Sequence, residues 1–205
     1  EWLDEFCERY PKEIGLPFDV ILMANMTTED HVEKLRKAGC VYARIAFEAA
    51  NDHVRNAIFK KNTTRQQLVD ASRWIRKHGI RLGSLNILGG PGGTIEDELD
   101  TLRLNVECEV DHPMQPYPMF EIEETKREMG YAIASLDDFP VNFRRTQPVL
   151  YDNRRQIENL QKLFPLAVRN PWLVPMLPRL IRLHWMYRPY LILFMLHAEY
   201  LVAEQ

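Results

Sequence analysis

Apolar residues alternate between two spacings along this chain. Phe18, Val20, Ile21 and Leu22 form a short apolar run within residues 17–24, the length of a buried strand. Val32, Leu35 and Ala38 then recur at helical spacing; Thr27 opens that helix with Asp30 in the capping-box position, and Gly39 ends it. Residues 41–47 predict a second strand, and a short helix follows over about 52–60. Thr63 and Thr64 cap a longer helix with Leu68, Ala71 and Ile75 on its apolar stripe, stopped by Gly79. Residues 80–88 predict a third strand. Thr94 caps the next helix, with Asp97 three residues on and Leu99, Leu102 and Val106 buried. Ahead of all this, residues 2–10 read as an amphipathic helix closed by Pro11, and a shorter extended piece lies near 114–118.

Strands alternating with helices of this length predict right-handed crossovers and an α/β fold with a parallel sheet. An open doubly wound sheet and an arc of a β/α barrel both satisfy the pattern. In either, ligands sit at the C-terminal strand ends. The pattern changes from about Tyr131, where Pro140, Pro148, Pro165, Pro171, Pro175, Pro178 and Pro189 punctuate a helical tail. Residues 1–133 are therefore read as the sheet domain and 134–205 as an α-helical C-terminal extension. The run over 191–203 is hydrophobic but interrupted by His197 and Glu199, and it is short for a membrane span. It is read as a helix docked on the domain.

The formal net charge of −3 gives no global basic footprint for nucleic acid. Cys7, Cys40 and Cys108 are an odd, sparse set, which argues against a disulfide scaffold and for a reducing, cytoplasmic compartment. No cysteine pair has metal-site spacing, and the six histidines form no H-E-x-x-H. The chain opens on Glu1-Trp2-Leu3, already in helical pattern and without Met, which suggests a piece of a longer protein.

Four of the nine glycines fall in Gly89-Gly90-Pro91-Gly92-Gly93, between the third strand and the helix capped by Thr94. Main chain without Cβ atoms admits a close ligand, and the helix N-terminus beyond it offers unpaired N–H groups. The run is neither a P-loop, since no Lys follows it, nor a dinucleotide fingerprint. In the second strand, alternation places Tyr42, Arg44, Ala46 and Glu48 on one face, with Glu48 at the C-terminal rim. Glu48 there suits hydrogen bonds from ribose hydroxyls or an amine; an ion pair with Arg44, or a cap for the helix near Asn51, fits equally. Ser84 and Asn86 share a face of the third strand, either lining a lumen beside a ligand or forming an internal hydrogen-bond network.

Together, the segments LPFDVILMANMTTEDHVEKLRKAGC, ARIAFEAANDHVRNAIFKKNTT, GIRLGSLNILGGPGGTIEDELDTLRLN and QPYPMFEIEETKREMGY resemble the C-terminal part of a radical SAM enzyme, of the group often linked to a cobalamin-binding domain. The resemblance implies the distal strands of a partial, usually six-stranded β/α barrel. It also implies S-adenosylmethionine bound at a 4Fe-4S cluster held by three cysteines, and radical chemistry that in cobalamin-linked members often transfers methyl groups. By it, Glu48 takes the fourth-strand position that often contacts S-adenosylmethionine. Ser84, Asn86, Gly89, Gly90 and Pro91 flank the adenosine, and Gln115 and Tyr117 lie near the barrel mouth. The C-x-x-x-C-x-x-C loop does not occur in this sequence, so the cluster ligands, the N-terminal barrel strands and any cobalamin-binding domain are expected outside it. Glu, Arg and Gly are common in the family where Gly93, Lys61 and Ala50 stand here. Two other readings stay open: a cluster-less β/α domain binding phosphate or nucleotide at residues 89–94, and a non-catalytic interaction module working through its Pro- and aromatic-rich tail.

Overall fold

A computed structural model describes residues 1–90, 93–114 and 153–203, the last six as helical backbone only. Helix α1 (Trp2–Glu13) precedes strand β1 (Phe18–Leu22). Helix α2 (Glu29–Lys37), β2 (Cys40–Glu48), α3 (Arg65–Lys77), β3 (Arg81–Asn86), α4 (Ile95–Glu107) and β4 (His112–Met114) follow in alternation. Beyond residue 153 come α5 (Arg154–Arg169), the one-turn α6 (Leu177–Leu180) and α7 (Tyr187–Ala203). The four strands form one parallel sheet in chain order, β1-β2-β3-β4. This is the expected α/β arc.

Several boundaries fall where side chains satisfy helix ends. Thr64 and Thr94 each accept from the backbone N–H three residues on, and Gln67 and Asp97 reach back to complete the two capping boxes. Thr28, not Thr27, caps α2, because residues 24–26 first make a 3-10 turn whose bonds Thr27 closes. Helix α1 runs through Pro11 to Glu13 instead of stopping before it. The expected helix over 52–60 includes a π-helical turn, Val54–Ile58.

Register sorts the sheet into two faces. Val20, Ala43 and Leu82 stand in line, as do Leu22, Ile45 and Ser84. This file faces the helices: Ala43, Ile45, Phe47 and Leu82 are fully buried with Leu35, Leu68, Ile75 and Leu102. The other file, Asp19–Tyr42–Arg81 and Ile21–Arg44–Gly83–His112, forms the concave face. Simple alternation groups Val41 with Ala43, Ile45 and Phe47, but a register shift between Phe18 and Asp19 takes Val41 out of that buried file and gives its position to Cys40.

Helix α5 joins the same core through Leu160, Phe164 and Ala167, and packs on α4 and α7. The 133/134 boundary lies outside the described residues. The apolar run of α7 buries Tyr190 but exposes Ile192, Leu193, Met195 and Leu196. No helix among the described residues is long and apolar enough to cross a membrane.

Candidate functional site

The C-terminal ends of β2 and β3 meet the loop after β2 and the first turn of α4. Strand β2 ends abruptly. Its register with β3 shifts between Ala46 and Glu48, which aligns Glu48 with Asn86, and Glu48 adopts a left-handed φ of 58°. A non-glycine residue in that region is uncommon and needs surroundings that hold it. Two bonds do so here: the Glu48 carbonyl accepts from Ile87 N–H at 2.8 Å, and Ala49 N–H donates to the Phe47 carbonyl at 2.7 Å. The shift also removes Glu48 from the file of Tyr42, Arg44 and Ala46, so simple alternation misplaces it. Glu48 is 7% exposed, and its carboxylate pairs with Lys61 at 2.9 Å. The expected alternatives, an Arg44 pair or a helix cap, do not form. Arg44 pairs with Asp19, and Asn51 takes the cap position by accepting from His53 and Val54 N–H.

The loop after β2 is organised by Arg55, whose side chain is fully buried. It donates to the carbonyls of Thr63 and Ala49 at 2.7 Å and of Ala50 at 3.1 Å, and it pairs with Asp52. A buried guanidinium is tolerated because nearly every N–H finds an oxygen. Two further bonds tie the loop to α4: Ala50 N–H donates to Thr101 Oγ at 3.0 Å, and Asn51 Nδ2 to Asp97 at 2.7 Å.

Ser84 and Asn86 correct their expected placement in a lumen. Both are fully buried and turned toward α4. Ser84 donates to Asn105 Oδ1; Asn105 Nδ2 donates to Asn86 Oδ1 at 2.8 Å and to the Thr101 carbonyl at 2.8 Å. Asn86 Nδ2 reaches Ser84 Oγ at 2.8 Å and the Met114 carbonyl at 3.1 Å. The physical reason is register: Ser84 is the partner of Ile45, on the helix-facing side. Of the two sequence readings, the internal network is the one formed. It locks β3, β4 and α4 together directly below the glycine turn.

The described part of that turn carries its own fittings. Gly89 has φ 70°, left-handed backbone that glycine adopts without a Cβ penalty. A Cβ on Gly90 would lie 2.7 Å from the Phe59 ring, so the missing side chain makes room for that ring. Gly89 N–H donates to Glu98 Oε1 at 2.8 Å. Glu98 is 5% exposed, and burial pushes its carboxyl up to about 8 against the pull of that N–H. Glu98 thus stays largely protonated at neutral pH. Pro91, Gln115 and Tyr117 lie outside the described residues. Arg55, Glu98, Thr101 and Asn105 were not anticipated. The last three were visible as a polar file at three- and four-residue spacing on the buried side of α4.

The cysteines do not suit an iron–sulfur cluster. Cys7 lies on α1, Cys40 opens β2 at the end opposite Glu48, and Cys108 caps α4. Burial pushes the Cys40 and Cys108 thiols up to about 11, away from the thiolate that binds iron. Among the described residues no group of three or more His, Cys, Asp or Glu side chains could hold a metal ion.

Two solved structures share the fold. The radical S-adenosylmethionine methyltransferase TsrM from Kitasatospora setae, with cobalamin and a [4Fe-4S] cluster bound, superposes with a TM-score of 0.51 at 15% identity, over 71% of this chain and 29% of that one. Coproporphyrinogen III oxidase, HemN, from Escherichia coli, a radical SAM enzyme, gives 0.52 at 15% identity, over 78% of this chain and 32% of that one. The chain therefore spans about a third or less of the length of these structures. No curated protein sequence matches. The sequence model of the Radical SAM superfamily matches residues 2–104, half of the chain, and the chain belongs to that superfamily.

Proposed function

We propose that this chain supplies distal strands of a radical SAM catalytic barrel and presents S-adenosylmethionine with the rim formed by Glu48 and the main chain after β3. The observation that carries the reading is Glu48: a buried carboxylate in left-handed backbone, at the C-terminal end of a parallel strand, beside the glycine turn. Its role is to accept hydrogen bonds from ribose hydroxyls, with Lys61 holding the carboxylate in place. Ser84 and Asn86 act indirectly, by fixing the strand end and α4 that carry the turn. Gly89, Gly90 and Pro91 flank the adenosine, and Gln115 and Tyr117 lie near the barrel mouth. The cluster that reductively cleaves S-adenosylmethionine requires cysteines from outside residues 1–205. Cobalamin-dependent methyl transfer and a cytoplasmic location complete the proposal; the first is motivated by the likeness to TsrM, the second by three free thiols.

Anaerobic reconstitution of the chain with iron and sulfide tests this division of labour. The expected result is no four-iron absorption; a stoichiometric cluster within these residues overturns it. Equilibrium dialysis with S-adenosylmethionine tests the rim. Glu48→Gln should weaken binding about tenfold, and unchanged binding would remove Glu48 from the site. A phosphate site at the turn is disfavoured by its charge. Glu96 and Asp97 place negative charge in the first turn of α4, and its capping box already occupies the Thr94 and Asp97 N–H groups.

A further inference from the structure

A second polar region lies on the concave face at the opposite, N-terminal, end of the strands. Tyr42, Arg44, Arg81 and His112 surround a cavity of about 480 Å³, with Phe18, Asp19 and Met114 completing its wall. The Tyr42 ring is the centrepiece. The guanidinium carbons of Arg44 and Arg81 each lie 5.8 Å from its centroid, and His112 packs edge-on at 5.5 Å. Gly83 makes room for the phenol: a Cβ there would fall 2.1 Å from the Tyr42 hydroxyl and 2.9 Å from Arg44 Cγ.

Among the described residues the donors in this cavity outnumber their acceptors. Arg44 pairs with Asp19, yet its Nε is buried with no partner. Neither the Arg81 side chain nor the Tyr42 hydroxyl makes a hydrogen bond or ion pair among the described residues. The acids nearby are engaged: Asp19 with Arg44, and Asp111 with Arg76 and with Leu82 N–H. Burial raises the Tyr42 phenol, so it remains a donor at neutral pH. Arg169 lines the adjoining cavity with Arg81. Guanidinium forks of this kind are suited to planar or tetrahedral oxyanions.

We infer that Tyr42, Arg44 and Arg81 form an oxyanion subsite for a small organic acid whose carboxylate or phosphoryl group meets the three donors while its body lies against Phe18, Tyr42 and His112. The volume exceeds what a bare ion needs, and the aromatic wall suits an unsaturated or ring-bearing body. The subsite lies at the far end of the strands from Glu48 and stands whether or not the rim binds S-adenosylmethionine.

Isothermal titration calorimetry of the full 205-residue chain with benzoate, phenyl phosphate and inorganic phosphate tests it. Saturable 1:1 binding of benzoate or phenyl phosphate is expected, tighter than inorganic phosphate; whichever of the two binds identifies the group preferred. Arg81→Gln, a change at an exposed side chain, should weaken it about tenfold or more, and Tyr42→Phe severalfold. Arg103→Gln, on the outer side of α4, should leave it unchanged. No saturable binding by either organic probe, or an Arg81→Gln variant that binds like the parent, overturns the inference. Inorganic phosphate binding as tightly as the organic probes overturns the role of the aromatic wall.

Discussion

Glu98→Gln isolates the energetic consequence of a carboxyl buried beneath the glycine turn. In the folded chain Glu98 titrates at about 8, against an ordinary value of 4.5, because burial disfavours the charged form. The folded state therefore binds more protons than the unfolded chain between those two values. Stability is fully present below about pH 4.5 and is lost as pH rises through about 8. At ~1.4 kcal/mol per pH unit, the whole window spans about 5 kcal/mol at its limit. The substituted amide keeps an oxygen to accept Gly89 N–H and cannot ionise. The variant should match the parent near pH 5 and exceed it by several kcal/mol near pH 8.5, with a flat profile between. Urea unfolding midpoints at pH 5, 6, 7, 8 and 8.5 measure this, provided the slope of each transition is unchanged. Parallel pH profiles for parent and variant would refute the assignment of the raised carboxyl to Glu98.

Three further outcomes follow from groups already described. Arg55→Met removes a donor from three buried carbonyls, of which Thr63 keeps one from Asn56, and should cost about 3–5 kcal/mol, whereas Asp52→Asn, at an exposed partner, should cost under about 1 kcal/mol in the same urea assay. Asn105→Ala should destabilise by about 1–3 kcal/mol, because Ser84 and Asn86 lose a shared partner; amide exchange at the β3–β4 pairing should accelerate with it. Gly83→Ala should cost about 1–3 kcal/mol by driving a methyl into the Tyr42 hydroxyl, and most of that cost should vanish in a Tyr42→Ala background.

The fold was legible because apolar spacing and caps agreed. Thr64 and Thr94 stand three residues before Gln67 and Asp97, and the strand-like runs around Val20, Ile45 and Leu82 each enter the core. The site was only partly legible. Alternation assumes an unbroken strand, and the two register shifts moved Val41 and Glu48 away from the faces that counting assigned them. Counting grouped Ser84 with Asn86 but could not say which side of the sheet that group occupied; Asn105, far along the chain on α4, settles it. Gly83 and Gly90 have the same one-letter appearance as turn glycines, yet both serve to seat aromatic side chains, Tyr42 and Phe59.

Because the order of strands in the sheet is the order in the chain, each new strand finds its neighbour already present as the polypeptide emerges. Among the four described strands assembly can advance in one direction, from β1 to β4, with each helix closing the unit just formed. Such vectorial growth shortens the exposure of each new edge during synthesis. Among the described residues β1 pairs on one side alone, and Ile21 and Met23 remain uncovered there, so this edge is a pairing hazard until a further strand meets it.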